Sequence, residues 1–473
     1  MTIQELIVVG NGALEKHDTM LVRPKIVLRP YQEKLVEKIL QSNKNYVIAL
    51  PQRTGKSVIA FSVKELGYYK RTLIVVDKVS LFSEWKNLAK KHGVPLYLHE
   101  KGNRRLFNSS KNKYQINNIV RNWYLSSSCT LTTIQLFKND VEKGIINANE
   151  FDLIIIDEIG DSITKSFCGF RTSDYYELFK DCKGRIIGLM PSTMPCPRRD
   201  SVSREFNAEI LSTPNEEIRD YVPKIETKKF LIDDPFITKV SNLFEREISC
   251  LQNALFNKLR KKIRGLTRIG VFYLKDEQIK RFPDNIQKIY YRLKTITYCH
   301  RQLLYGNKKI LKDTPYNKFP AFNEWINSPN TRITKLINII RNRPNKKIVI
   351  FVPFIDTARF LFEELKNNDI LSITFTGQIK ERLTRENVLH EFKKGKTQCL
   401  ICTENISGKG IDLSEASTVI HYIYRWDYYG QKQKTARIGN LERIGEEIYL
   451  IYKGTIEERK TEHLIKNIMR MEI

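Results

Sequence analysis

The sequence predicts an α/β protein with two parallel-sheet lobes, a basic helical insertion between them and a short N-terminal β-hairpin. Short, continuous apolar runs occur in two groups, at residues 45–190 and 346–452. Strands that are apolar without alternation are buried on both faces, as in parallel sheets covered by helices. Amphipathic helical patterns such as FLFEELKNN separate the runs, and the stretch between the two groups has helical patterning with few strand signals.

This pattern divides the chain into four units: a β extension at 1–24, a first lobe at 25–215, a helical basic insertion at 216–330 and a second lobe at 331–473. A chain of 473 residues, 41% of them hydrophobic, can build several ordinary cores. In the extension, Asn11-Gly12 between two apolar stretches predicts a hairpin turn. A dinucleotide-binding turn is the alternative, which Glu15 at its third glycine position disfavours.

The formal net charge is +27, from 80 lysines and arginines against 53 acidic residues. Such a field attracts polyanions, so nucleic acid is the expected partner and an anionic membrane surface is the second choice. No apolar run approaches the roughly 20 residues that span a bilayer, and the N-terminus lacks the pattern of a secretory signal. We therefore expect a monomer that does not enter a membrane. Its expected location is the cytoplasm, or whichever compartment contains its nucleic acid.

The eight cysteines are scattered without a framework, which is typical of proteins that keep their thiols reduced. Only Cys399 and Cys402 lie close together in the sequence. A zinc site would need a second pair or suitably spaced histidines, and QCLICT has the pattern of a buried strand. We interpret the pair as structural.

The basic charge is concentrated in residues 251–320, with 17 lysines and arginines against 4 acidic residues. Aromatic residues that can stack on bases alternate with these cations. They are Phe272, Tyr273, Phe282, Tyr290, Tyr291, Tyr298 and Tyr305. Two interpretations stay open: a nucleic-acid face, or a solvated helical surface whose aromatics form a small core of their own.

A candidate phosphate-binding loop lies at residues 51–57, PQRTGKS, between a predicted strand and an amphipathic helix. Backbone N–H groups of Thr54 and Gly55 at a helix start would face phosphate oxygens. Lys56 would then reach the β and γ phosphates, and Ser57 would coordinate Mg²⁺. The usual upstream glycine is missing, and Arg53 would either turn outward to solvent or touch the nucleotide.

A carboxylate pair, Asp157-Glu158, ends the apolar run FDLIII. One carboxylate could hold Mg²⁺ and the other could orient the attacking water. An Asp-Glu pair at a strand end can also serve as a helix cap. Its position downstream of a phosphate loop favours the catalytic interpretation.

The order of these motifs resembles superfamily 2 helicases and translocases, which have two RecA-like lobes. LRPYQ, at 28–32, resembles the family's adenine-recognising segment and puts Arg29 and Gln32 in its usual positions. TLIVVDKVSLFSEWK at 72–86 resembles the family's strand and loop that meet the nucleic acid backbone. LTTIQ at 131–135, DEIG at 157–160 and STMP at 192–195 follow in the family's order. The resemblance implies ATP as the nucleotide, Mg²⁺ held by Ser57 and Asp157, and Glu158 as the residue that aligns water.

The second lobe resembles the family in its fifth motif, CTENISGKGIDLSEASTVIHY, and its sixth, QKQKTARIGN. The resemblance implies that four residues of this lobe contact the nucleotide, with the last also catalytic across the cleft. They are Gly410, Asp412, Gln433 and Arg437. The family's final arginine in the sixth motif is replaced by Asn440, and Lys434 and Ala436 also depart from its pattern.

Arg-Ile-Gly followed by an amide residue also resembles the Swi/Snf-type translocases of duplex DNA. RWDYY at 425–429 and KGTIEERKTEHL at 453–464 agree with this likeness, and the loop sequence Arg-Thr-Gly-Lys is similar to that of some phage translocases. The resemblance implies an ATP-dependent DNA helicase or translocase that acts on duplex, forked or branched DNA, similar to phage branch-migration helicases.

Two alternatives remain open. An RNA helicase shares the lobes and the ATP site, which makes RNA the second choice of substrate. A catalytically silent nucleic-acid-binding scaffold is the other, because Asn440 and the altered phosphate loop depart from the common pattern.

Overall fold

The computed structural model describes residues 26–471. The exceptions within this range are 101–112, 160–163, 167–168, 172–173, 193, 195, 264, 307, 309–319, 380, 404–412, 424–430, 432–434, 437, 439–440 and 442. The predicted N-terminal hairpin lies outside the described residues. Within the described ranges no helix has the length and apolar character needed to cross a membrane.

The first lobe contains a seven-stranded sheet in which all strands are parallel, as the continuous apolar runs predicted. Its strands, in chain order, are β1 (Asn45–Leu50), β2 (Thr72–Val76), β3 (Tyr97–His99), β4 (Cys129–Thr133), β5 (Leu153–Ile156), β8 (Arg185–Pro191) and β9 (Ala208–Leu211). The spatial order is β3-β4-β2-β5-β8-β1-β9. A separate antiparallel pair, β6 (Thr164–Ser166) and β7 (Gly169–Arg171), follows β5.

Helices cover both faces of this sheet, with one apolar core on each face. They are α1 (Pro30–Leu40), α2 (Lys56–Leu66), α3 (Phe82–His92), α4 (Lys113–Ser126), α5 (Ile134–Glu142), α6 (Asp174–Phe179), α7 (Cys196–Glu205) and α8 (Asn215–Ile218). A 3₁₀ turn at Val79–Leu81 precedes α3, and another at Arg219–Tyr221 ends the lobe. The carboxyl ends of the parallel strands share one edge, which brings the loops after β1 and β5 together.

The second lobe contains a six-stranded, wholly parallel sheet with the order β10-β15-β14-β11-β13-β12. The strands are β10 (Ile225–Ile232), β11 (Ile348–Val352), β12 (Ser372–Phe375), β13 (Cys399–Thr403), β14 (Thr418–His421) and β15 (Gly445–Tyr452). Strand β10 lies within the range 216–330 that the sequence assigned to a helical insertion. It pairs with β15 along its whole length, so it belongs to the second lobe instead.

The helices that follow β10 in the chain are α9 (Pro235–Leu259), α10 (Asp276–Ile279), α11 (Asp284–Tyr305), α12 (Pro320–Asn327), α13 (Thr331–Arg341), α14 (Ile355–Lys366), α15 (Arg382–Lys394) and α16 (Ile456–Met471).

Cys399 and Cys402 are buried in β13, where burial raises the pKa of both thiols. No group of three or more His, Cys, Asp or Glu side chains that could hold a metal occurs among the described residues. The segment CLICT forms a buried strand, as its apolar pattern predicted.

Residues 235–305 form a projection from the second lobe that we call the helical arm. Where the arm joins the lobe, Ile237, Phe244 and Ile296 pack into the core beneath the second sheet. Farther out, α9 and α11 share a second small core that includes Leu259, Val271 and Tyr290. The arm is thus anchored in the lobe and stabilised along its length by apolar packing.

Candidate functional site: the phosphate loop and the acidic pair

The loop at residues 51–57 has the local structure that the sequence predicted, with β1 before it and α2 beginning at Lys56. Gly55 is the N-cap of α2 and has a φ of 81°. Thr54 is fully buried, and its hydroxyl donates to the carbonyl of Pro51 at 2.7 Å. The first backbone N–H groups of α2 receive no side-chain cap, which leaves the helix start suited to an anion.

Two residues of α1 fasten this loop from behind. The side-chain amide of Gln32 donates to the carbonyl of Thr54 at 2.9 Å, and the Tyr31 hydroxyl donates to the same oxygen at 2.5 Å. Gln32 is almost fully buried, and its amide oxygen accepts the N–H of Arg29 at 2.9 Å. The segment predicted to recognise adenine is therefore in direct contact with the phosphate loop.

Arg29 stacks on an aromatic ring that sequence reasoning missed. Its guanidinium carbon lies 4.8 Å from the ring centroid of Tyr221, and the Tyr31 ring is 5.3 Å from the same centroid. Tyr221 ends the first lobe, four residues before β10. Its only sequence signal was an aromatic residue in the connector between the lobes.

The Lys56 ammonium group donates to the carbonyls of Leu50 and Pro51, each at 3.0 Å. Burial lowers the pKa of Lys56 to about 8, although the negative charges of Asp157 and Glu158 act in the opposite direction. Lys56 and the acidic pair follow β1 and β5, whose carboxyl ends share one edge of the sheet. Ser57 follows Lys56 on the first turn of α2 and is partly exposed.

The acidic pair follows β5 in a strained turn. Glu158 has a φ of 50°, and its N–H donates to Oδ1 of Asp157 at 3.0 Å. The next residue, Ile159, packs against Gly188 of β8, where an added Cβ would lie 2.8 Å from its side chain. Since only glycine leaves this space, β8 helps to determine where the pair sits.

Trp85 is a second residue that sequence reasoning missed. Its indole N–H donates to Oδ2 of Asp157 at 3.0 Å. The segment FSEWK was assigned to nucleic acid contact, and the only signal for this bond is that a buried tryptophan needs an acceptor.

The residues fit a magnesium ion. Mg²⁺ takes oxygen ligands, usually one or two from the protein with the rest from phosphates and water. The carboxylate of Asp157 and the hydroxyl of Ser57 are ligands of this kind, and they follow β5 and β1, the two strands that flank β8. Gly410, Asp412, Gln433 and Arg437 lie outside the described residues.

Among the described residues, Arg53 connects this site to the second lobe. Nη1 of Arg53 donates to the backbone carbonyl of Ile438 at 3.2 Å. Ile438 lies in the segment that resembles the sixth motif. Neither position predicted for Arg53, in solvent or on the nucleotide, anticipated this bond.

Known families match both lobes. The family described as "Type III restriction enzyme, res subunit" matches residues 25–186, and the "Helicase conserved C-terminal domain" matches residues 331–442. The two matches fall on the two parallel sheets in the order that the motifs predicted. The chain belongs to helicase superfamily 2.

Individual superfamily 2 proteins resemble the chain at low identity. The crystal structure of the Pyrococcus furiosus Hef helicase domain superposes with a TM-score of 0.60 at 20% identity, covering 94% of this chain and 98% of that one, which shows the shared fold. A putative ATP-dependent RNA helicase of Methanocaldococcus jannaschii is 23% identical over 399 residues, 73% of this chain and 50% of that protein.

A human chromodomain-helicase-DNA-binding protein is 30% identical over 162 residues, 33% of this chain and 9% of that protein. An uncharacterised ATP-dependent helicase of Mycoplasma genitalium is 29% identical over 158 residues, 32% of this chain and 14% of that protein. The chain thus spans half or less of the length of these curated relatives.

Proposed function

We propose that this superfamily 2 protein is an ATP-dependent DNA helicase or translocase. The observation that carries the proposal is that Lys56, at the start of α2 after β1, and the Asp157-Glu158 pair, after β5, lie at the same edge of one parallel sheet. A phosphate-binding helix start and a carboxylate pair on one sheet edge are the parts that nucleotide hydrolysis needs.

In this proposal the first lobe holds the triphosphate. The Lys56 ammonium leaves the carbonyls of Leu50 and Pro51 and pairs with the β and γ phosphates, while Gln32 recognises adenine. Ser57 and Asp157 hold Mg²⁺, which neutralises charge on the phosphate oxygens when bound. Glu158 orients the attacking water and accepts its proton.

Arg437 is our candidate for the residue that the second lobe contributes to the cleft, with Gly410, Asp412 and Gln433 as further nucleotide contacts. An arginine supplied across a cleft stabilises charge that develops on the transferred phosphoryl group. Hydrolysis then requires the lobes to close, and product release permits them to open. Repeated closing and opening moves the phosphate grip of one lobe along a strand.

The helical arm is the proposed nucleic acid contact beside the lobes. Lys258, Arg260, Lys261, Arg268 and Lys280 are exposed near its end. Ile269, Phe272 and Tyr273 form an exposed apolar group on the same part of the arm. Cations pair with phosphates, and exposed aromatic rings stack on bases that have left a duplex. This combination supports forked or branched DNA as the substrate.

The choice of DNA over RNA rests on the Swi/Snf-like segments and on similarity to a relative named as DNA-binding. RNA is the second candidate, since another relative is named an RNA helicase. Contacts to the sugar-phosphate backbone dominate in both cases and favour movement without sequence preference.

The deciding experiment measures ATP turnover with duplex DNA, single-stranded DNA, forked DNA and RNA. We expect the greatest stimulation by forked or duplex DNA. Lys56→Ala and Glu158→Gln should each abolish turnover, whereas Lys143→Ala and Glu142→Gln, at exposed positions of the same lobe, should not. Stimulation by RNA alone would overturn the choice of DNA, and absence of turnover would support the silent scaffold.

A further inference from the structure

The phosphate loop contains an arginine in a backbone conformation that arginine disfavours. Arg53 has a φ of 64°, in the left-handed region where glycine is the common residue. Non-glycine residues held in this region point to a functional constraint when the surrounding structure enforces the conformation. The left-handed backbone at Arg53 therefore points to a role for its side chain.

The side chain crosses from one lobe to the other. Nη1 of Arg53 donates to the carbonyl of Ile438 at 3.2 Å, a contact between residues 385 positions apart. The Arg53 side chain is partly buried there. Because arginine stays charged at every accessible pH, this bond is charge-assisted.

The second-lobe end of this contact is firmly anchored. Ile438 is fully buried in a core of the second lobe, and its N–H donates to the carbonyl of Thr435 at 3.2 Å. The Thr435 hydroxyl donates to the buried carboxylate of Glu447 on β15. Glu447 also accepts the Tyr449 hydroxyl at 2.8 Å. The position of the Ile438 carbonyl therefore follows the position of the second sheet.

The first-lobe end is anchored as well. Thr54, the next residue after Arg53, is fully buried, and its carbonyl accepts both the Tyr31 hydroxyl and the Gln32 amide. A bond between two anchored points constrains the distance between the two lobes. A bond between two mobile loops would not.

We propose that Arg53 is a positioning residue that holds the second lobe at the distance from the phosphate loop at which hydrolysis occurs. Arg437, the proposed catalytic arginine, immediately precedes Ile438 in the chain, so this inference rests on the proposed function. Arg53 acts through the Ile438 carbonyl rather than on the nucleotide. Its left-handed backbone directs the side chain toward the second lobe.

Kinetics of three variants test the proposal. Arg53→Gly keeps the left-handed backbone available and removes only the side chain. Arg53→Lys retains a charged donor of similar reach. Tyr68→Gly is the matched control, because Tyr68 also has a positive φ of 54° and is exposed on the first lobe.

We expect Arg53→Gly to lower kcat about tenfold while the Kd for a fluorescent ATP analogue changes less than about twofold. Arg53→Lys should recover part of kcat, and Tyr68→Gly should match the native protein. A rise in Kd that parallels the loss would place Arg53 on the nucleotide and overturn the proposal. An unchanged or raised kcat would overturn it too.

A distance measurement separates this inference from the proposed function. Spin labels attached through non-canonical amino acids at Lys143 and Lys366, exposed sites on the two lobes, report the distance between the lobes without any turnover. The distribution should broaden in Arg53→Gly and stay native in Tyr68→Gly. Unchanged distributions would refute the bridge even in an active enzyme, whereas broadening without any ATP turnover would refute only the proposed function.

Discussion

The indole N–H of Trp85 donates a hydrogen bond to the carboxylate of Asp157 across 3.0 Å. Trp85 lies on α3, immediately after the loop proposed to meet the nucleic acid backbone. Its ring also packs edge-on against Phe61 of α2, with centroids 5.2 Å apart. One buried side chain on the helix after this loop thus contacts both the phosphate-loop helix and the proposed metal ligand.

This contact predicts a coupling role for Trp85. Trp85→Phe preserves the packing on Phe61 and removes the donor to Asp157. We expect ATP binding to persist and the stimulation of turnover by DNA to fall several-fold. A hydrogen bond to a charged group contributes about 1.5–3 kcal/mol, and its loss leaves the Asp157 carboxylate less firmly positioned. Basal turnover and stimulated turnover, measured side by side, distinguish coupling from a general loss of activity. Equal losses in both would argue against it.

The lowered pKa of Lys56 predicts a pH dependence. Burial lowers this pKa from an ordinary 10.5 to about 8, so the ammonium form that pairs with phosphate is lost as the pH rises through 8. The Kd for ATP should be constant below pH 7 and rise about tenfold per pH unit well above 8. Lys56→Arg stays charged and should bind ATP with little change over the same range. A similar rise in that variant would assign the titration to another group.

The same shift has a consequence for stability. A lysine whose folded pKa lies below its unfolded value destabilises the fold in its charged form, fully below pH 8 and not at all above about 10.5. Lys56→Met should therefore raise the free energy of unfolding at pH 7, and the gain should shrink as the pH increases from 8 to 10.5. Denaturant titrations at pH 7 and pH 10 check this difference. A gain that stays constant would show that charge burial is not its cause.

Gly55 is predicted to be intolerant of a side chain. Its φ of 81° disfavours L-residues, and an added Cβ would lie 2.5 Å from the Gln32 amide nitrogen. Gly55→Ala should destabilise the first lobe by about 1–2 kcal/mol and abolish ATP binding, since it displaces the residue that fastens the loop. Gly144→Ala is the control, because Gly144 also has a positive φ but has open space around it. Native ATP binding in Gly55→Ala would show that the loop tolerates a side chain at this position.

Local signals in the sequence predicted the strand, turn and helix around Lys56, the acidic pair and both parallel sheets. Strand β10 was missed because its pattern alternates exposed and half-buried residues, such as Lys229 and Phe230, and its partner β15 lies about 220 residues away. No local pattern encodes that pairing. For Tyr290 the sequence favoured a core residue over a stacking residue, and the packing of the arm shows that it is buried.

The buried ion pair of the second lobe is predicted to be essential for stability. Arg332 on α13 donates to Glu457 on α16 and to the carbonyl of Tyr422, and both charged side chains are almost fully buried. Arg332→Met leaves Glu457 uncompensated and should cost about 3–5 kcal/mol. The double variant Arg332→Met/Glu457→Leu should recover much of this loss in urea denaturation. Simple addition of the two single losses would mean that the charges do not interact.

The helical arm offers two tyrosines with opposite environments and so separates binding from stability. Tyr273 is 74% exposed, whereas Tyr290 is 1% exposed and donates to the carbonyl of Leu274 at 2.6 Å. Tyr273→Ala should weaken binding to forked DNA by about 1–3 kcal/mol without a change in melting temperature.

Tyr290→Phe should instead lower stability by about 1 kcal/mol and leave DNA affinity native, because it removes a buried hydrogen bond and keeps the arm's surface. Fluorescence anisotropy with forked DNA, repeated at several salt concentrations, measures the first effect, and thermal unfolding measures the second. Since phosphate contacts make binding electrostatic, the affinity of both variants should still fall steeply with salt. A native affinity in Tyr273→Ala would place the DNA contact elsewhere, and a flat salt response would remove the arm from the nucleic acid interface altogether.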